Sequence, residues 1–150
     1  MRKAADSTTI VHTGTNAVNQ YNNEVFDGNE TILIVEDEKE LRELLSALLI
    51  SKGYRVYEAC DGQEGVEQFA RHKDRIDLVV CDVGLPRMNG YAAFSKMKEL
   101  SPSVRVLLIS GFFDPALNTS AAHSDAISYI QKPYTPKDML LKVRQMLDRS

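Results

Sequence analysis

The sequence predicts an α/β domain: a doubly wound, five-stranded parallel sheet with helices on both faces. Three observations carry that expectation. Short apolar runs of strand length recur along the chain, segments with helical apolar spacing separate them, and cap- or turn-forming residues mark the junctions. Strands covered on both faces are apolar throughout instead of alternating, and the first, third and fourth runs read that way. Such βα repeats lay their strands side by side in parallel.

The first strand is Ile32-Leu33-Ile34-Val35. Leu41, Leu44, Leu45, Leu48 and Leu49 then repeat at i, i+3, i+4, i+7 and i+8, which predicts one buried helical face, with Gly53 as its stop. Residues 54–58 form a second, more polar strand, placed at an edge. Asp61 and Glu64 have the spacing of a capping box and open a helix carrying Val66, Phe69 and Ala70. Leu78-Val79-Val80-Cys81 is the third strand, followed from about Gly90 by a helix with Phe94 and Met97 inward. Residues 104–109 give the fourth strand, after the break at Ser101-Pro102. Asp114-Pro115 reads as an N-cap with proline in the first turn of a short helix. Residues 127–130 are the fifth strand. Thr135-Pro136-Lys137-Asp138 opens a last helix with Leu140, Val143 and Leu147 inward, and only a few residues follow it, too few for an output domain.

Residues 1–29, rich in Asn, Thr, Ser and Gly, read as a flexible tail or linker, and residues 30–150 as the domain. His12 in that tail reads as a solvated histidine. With 150 residues, 43% of them hydrophobic, the chain can bury a core without disulfides or a structural metal. A net charge of -3 offers no basic surface for nucleic acid. Cys60 and Cys81 have neither CxxC nor zinc-ligand spacing and read as small buried hydrophobes, consistent with a reducing, cytoplasmic compartment. No apolar stretch approaches the roughly 18 residues of a membrane span, and the N-terminus has no signal-peptide core.

In open α/β sheets, ligands bind outside the carboxyl ends of the strands. Glu36-Asp37 follow strand one, Asp82 follows strand three, Ser110-Gly111 close strand four, and Lys132-Pro133 follow strand five past Gln131. Each has an ordinary reading alone: acids favouring a helix start, a turn aspartate, a capping serine, a solvated lysine. Together they put three acids, a hydroxyl and a lysine on one edge of the sheet, which is the pattern of a site. Two like charges about 4 Å apart cost roughly 4 kcal/mol at an effective dielectric near 20. A hard divalent cation such as magnesium relieves that repulsion through oxygen ligands. Lysine suits a phosphoryl oxygen, and a carboxylate beside metal and lysine can act as a nucleophile that forms an aspartyl phosphate.

These residues resemble response-regulator receiver domains of two-component signalling. The resemblance rests on Ile32-Leu33-Ile34-Val35-Glu36-Asp37-Glu38, on Asp82 followed by Leu85-Pro86-Arg87-Met88-Asn89-Gly90, on Ile109-Ser110-Gly111, and on Tyr129-Ile130-Gln131-Lys132-Pro133. It covers about residues 31–148 and implies a flavodoxin-like strand order 2-1-3-4-5. By that resemblance Asp82 is the phosphoacceptor. Asp37 and Asp82 hold Mg2+ directly, Glu36 mostly through water, and the Gly84 backbone carbonyl is a further ligand. Lys132 contacts the phosphoryl group, Ser110 donates a hydrogen bond to it, Tyr129 is the switch aromatic, and the Lys132-Pro133 bond is cis. The face made by helix four, strand five and helix five is then expected to repack. The domain would signal and promote its own phosphorylation and dephosphorylation without being an enzyme in the ordinary sense.

Three positions depart from the commonest pattern: Gly84 is small, Phe112 is bulky, and Ser110 replaces the more frequent threonine. The first two bear on phosphoryl lifetime, not on which residue accepts. The stretch from Gly28 to Glu38, with Ser110-Gly111-Phe112 and Lys132-Pro133-Tyr134-Thr135-Pro136, is similar to receivers fused to hybrid sensor histidine kinases. The implied partner is a sensor histidine kinase or a histidine phosphotransfer protein. Other classes fit less well. An FMN binder wants hydroxyls and glycines after strand one, where Glu36-Asp37-Glu38 stand. A fold-only interaction module has no need of Asp37, Asp82 and Lys132 together, and a hydrolase lacks a second acid two residues after Asp82.

Overall fold

A computed structural model describes residues 26–111 and 126–149. The strands are β1 (Thr31–Val35), β2 (Arg55–Ala59), β3 (Leu78–Asp82), β4 (Val106–Ser110) and β5 (Ile127–Gln131). Four helices lie among the described residues: α1 (Lys39–Ser51), α2 (Gly62–His72), α3 (Gly90–Leu100) and α4 (Pro136–Leu147). His12, Phe112 and the helix expected at Asp114-Pro115 lie outside the described residues, as does nearly all of the segment read as a tail.

The sheet has the order β2-β1-β3-β4-β5 with every pair parallel, as expected. All five residues of β1, β3 and β4 are buried, whereas the edge strands β2 and β5 are partly exposed. Successive side chains alternate between faces. Ile32, Ile34, Val80, Leu107 and Ile109 therefore pack under α1 and α4 with Leu45, Leu49, Met139 and Val143. Leu33, Val35, Val79, Cys81 and Leu108 pack under α2 and α3 with Phe69, Phe94 and Met97.

The caps explain where the helices start. Thr135 and Asp138 form a complete capping box, with Pro136 in the first turn of α4. The Asn89 side chain accepts the Ala92 N–H at the start of α3. Asp61 accepts the Glu64 N–H, but the Glu64 carboxylate reaches the Cys60 N–H instead of that of Asp61, so the box expected there is only half formed. Gly53 ends α1 at φ 100, and a Cβ there would sit 2.3 Å from the Gly28 carbonyl oxygen.

Two expectations about burial need correction. Leu45 and Leu49 are buried, but Leu41 and Leu44 are 39% and 69% exposed. The leucine stripe is wider than the surface the sheet offers, so among the described residues no element lies above its outer row. Cys60 is exposed, because it is the first residue past the end of an edge strand.

At the amino end of the strands, Arg144 of α4 ties down the chain entering β1. Its guanidinium pairs with Glu30 at 2.5 Å and donates to the Asp27 carbonyl and the Tyr54 hydroxyl, while Asp148 pairs with it from the next turn. That hydrogen bond to Arg144 holds the Glu30 carboxyl below its ordinary pKa against a smaller opposing effect of burial.

Candidate functional site

Parallel register brings the carboxyl ends of the strands level. Val35 pairs with Cys81, Asp82 with Ile109, and Ser110 with Gln131. The next residues therefore emerge along one rim. Glu36, Asp37 and Asp82 each place a carboxylate oxygen within 4.8 Å of the others. Lys132 reaches the same point from β5, with Nζ 3.0 Å from Asp82 Oδ2. The Gly84 N–H holds the other oxygen, Oδ1, at 2.9 Å. Asp37, Asp82, Gly84, Ser110 and Lys132 line one cleft of about 310 Å³. Glu36 lies beneath it, only 2% exposed. Tyr129 is not among the cleft's lining residues. It is half-buried on β5, beside Leu141 and Gln145 of α4. The Lys132–Pro133 peptide is cis.

The backbone around Asp82 is held tightly. The Gly90 N–H donates to the Val83 carbonyl, and a Cβ at Gly90 would lie 2.6 Å from the Asp82 carbonyl oxygen and 2.9 Å from Val83 Cα. Glycine is required there by close approach. Gly84 is different: among the described residues a Cβ would meet only Asp82 Oδ1, at 3.6 Å, an ordinary contact distance. Arg87, in the loop between, adopts φ 64, a left-handed conformation uncommon for a residue with a side chain.

Crowded negative charge shows in the protonation equilibria. Burial, reinforced by the charge of Asp82, raises the Glu36 carboxyl to about 7, although the Glu38 N–H and Lys132 oppose the rise. Burial would lower the Lys132 ammonium, but the hydrogen bond and charge of Asp82 outweigh it and hold the pKa above the usual lysine value. The Cys81 thiol, buried behind the site, is pushed up to about 12 by burial and then by Asp82 and Glu36. It is inert as a nucleophile. One lysine against three carboxylates leaves an all-oxygen donor set short of positive charge. That chemistry fits a small hard dication held by Glu36, Asp37 and Asp82.

Some neighbours of the site were not singled out from sequence. Tyr134 is half-buried beside the acids, and burial followed by the charge of Glu36 raises its phenol pKa. Arg42 and Glu58 sit on the outer side of Glu36. Only the place of Tyr134, directly after the Lys132-Pro133 pair, offered a signal.

Comparison with known proteins agrees with this geometry. Residues 32–144 match the family described as "Response regulator receiver domain". Among curated relatives, sensor kinase CckA of Brucella abortus is 30% identical over 122 residues, 81% of this chain but 13% of that protein. Chemotaxis protein CheY of Treponema pallidum is 32% identical over 117 residues, 77% of this chain and 81% of that one. Among solved structures, a response regulator receiver domain protein from Clostridium thermocellum superposes with a TM-score of 0.72 at 26% identity, covering 80% of this chain and 95% of the other. The chain belongs to the response regulator receiver domains of two-component signalling.

Proposed function

We propose that Asp82 is the phosphoacceptor of this domain and takes its phosphoryl group from a phosphohistidine on a partner protein. The observation that carries the reading is the Lys132–Asp82 contact at 3.0 Å inside a cluster of three carboxylates. A carboxylate oxygen of Asp82 attacks phosphorus, the bond from phosphorus to the donor imidazole nitrogen breaks, and its electron pair leaves with the imidazole. Lys132 neutralises charge on the transferring oxygens, and the Gly84 N–H fixes the Asp82 carboxylate. Asp37 and Asp82 would hold Mg2+, with Glu36 mostly through water and the Gly84 carbonyl as a further ligand, and the ion would supply further charge neutralisation. Ser110 then hydrogen-bonds the new phosphoryl group and Tyr129 turns inward in response. The domain is a signalling acceptor and does not turn over a separate substrate.

The donor is a sensor histidine kinase or a histidine phosphotransfer protein, acting in the cytoplasm. Residues 30–150 form the receiver and the preceding segment a linker, an arrangement that serves a hybrid kinase and a free-standing regulator alike. A groove of about 810 Å³ beside the acceptor supports a protein donor. Leu41, Leu44, Leu45, Leu48, Pro133 and Tyr134 line it, and it shares Lys132 with the acceptor cleft. A helix presenting a phosphohistidine to Asp82 has to cover this surface, and an apolar row on it fits the exposed Leu41 and Leu44.

The test is phosphorylation with acetyl phosphate and Mg2+, read as a mass adduct that is lost in alkali. Wild type labels and Asp82→Asn does not. Equal labelling of both would sink the assignment.

A further inference from the structure

Outside the acidic cleft, one connected set of side chains leads into it. The Arg42 guanidinium donates through Nη1 to the Glu36 carbonyl oxygen at 2.9 Å, and its Nε lies 3.4 Å from Glu58 Oε1. Ser46, 4% exposed, donates to the second Glu58 oxygen at 2.5 Å. The Arg42 side chain is itself only 15% exposed. From this we infer that Arg42, braced by Glu58 and Ser46, is a positioning residue for the magnesium pocket. The inference rests on the proposal that the pocket binds magnesium.

The Glu36 peptide is held at both ends. Its N–H donates to the Ala59 carbonyl at the end of β2, and its C=O is taken by Arg42. The peptide linking residues 36 and 37 is planar, so fixing the direction of the Glu36 carbonyl also fixes where the Asp37 Cα stands. Asp37 is exposed, and its carboxylate is repelled by Glu36 and Asp82. Glu36 and Asp82 are buried and held, so without a grip on the backbone it is Asp37 that would swing away from them in the metal-free protein. The cation would then have to gather them as it binds, at the expense of affinity. A planar guanidinium can hold a carbonyl and a carboxylate at a fixed angle, which a lysine ammonium cannot do. Glu58 offsets the charge of Arg42, so that the guanidinium does not compete with the cation.

A rival account makes Arg42 a plain counter-charge for the acids. The two accounts predict opposite signs. Removing a cation near the pocket strengthens Mg2+ binding by Coulomb's law, whereas removing a positioning group weakens it. Support behind metal ligands typically carries 10–100-fold in affinity. Isothermal titration of the full chain with Mg2+ at low ionic strength separates them. Arg42→Gln is expected to bind roughly tenfold more weakly, Arg42→Lys to recover only part of the loss, and Ser46→Ala, which removes only the brace on Glu58, to weaken binding in the same direction by less. Arg42→Gln combined with Glu58→Gln should be no weaker than Arg42→Gln alone. Far-UV dichroism and the metal-free melting midpoint report folding separately, and Ser46→Ala keeps the test usable if Arg42→Gln does not fold. Binding by Arg42→Gln as tight as wild type, or tighter, overturns the inference. Failure of wild type itself to bind Mg2+ overturns the metal reading instead.

Discussion

Lys132 Nζ and Asp82 Oδ2 meet at 3.0 Å although fifty positions separate them in sequence. The parallel register of β3, β4 and β5 makes the meeting possible, and the Lys132 N–H to Ser110 carbonyl bond fixes the approach. Replacing Lys132 by alanine leaves a carboxylate that is 6% exposed without its cation. The expected result is acetyl-phosphate labelling slowed roughly 100-fold or more, the usual scale for losing one charge-stabilising donor. Intact-mass time courses at fixed Mg2+ measure it.

Glu36 gives a pH signature. Its folded pKa is about 7 against an ordinary value of 4.5, so the native metal-free protein retains a proton that the unfolded chain releases. Stability therefore falls as pH rises from about 4.5 to about 7 and levels off above, by up to about 3 kcal/mol from this group. Urea midpoints in EDTA should be lower at pH 8 than at pH 5.5, and Glu36→Gln should flatten that slope. Saturating Mg2+ should flatten it too, because the cation favours the charged carboxylate.

The apolar groove separates protein donors from small ones. Leu44 is 69% exposed at its mouth, so Leu44→Asp should leave folding and acetyl-phosphate labelling near wild type. Transfer from a phosphorylated histidine partner should fall about tenfold, the scale of losing one apolar anchor of about 1.4 kcal/mol. Equal transfer to both proteins would move the donor to another face.

At the other end of the sheet, Arg144→Ala removes the clamp on Glu30, Asp27 and Tyr54. Charge-assisted hydrogen bonds of this kind predict a loss of about 2 kcal/mol, or a melting point lower by roughly 6–10 °C. The Glu30 part has a definite pH window. Its pKa is lowered on folding, so that stabilisation is present above its ordinary value of 4.5 and disappears as pH falls through the depressed one. Wild type and Arg144→Ala melting curves should converge in acid.

Much of this was legible in the sequence because the strands are unbroken apolar runs and the reactive residues directly follow them. Ile32 to Val35, and Leu78 to Cys81, announce buried parallel strands, and the sheet rule alone then brings Glu36, Asp37, Asp82, Ser110 and Lys132 to one rim. What stayed hidden depends on contacts between elements. Helical spacing groups Leu41 and Leu44 with Leu45 and Leu49 without showing that the first two are exposed. Arg42, Ser46 and Glu58 look like ordinary polar positions on a helix and an edge strand, and no fixed spacing links a helix to the strand after it. The need for glycine at Gly90 arises from the Asp82 carbonyl pressing against it, which a loop sequence does not reveal.

The Arg144 clamp has a geometric outcome. Glu30 is anchored where the strands begin, and Asp82 sits where they finish, so the two lie at opposite poles of the sheet. Residues 27–30 are thereby fixed a full strand length from Asp82, so a label carried there reports on the far end of the sheet and not on the acidic cleft.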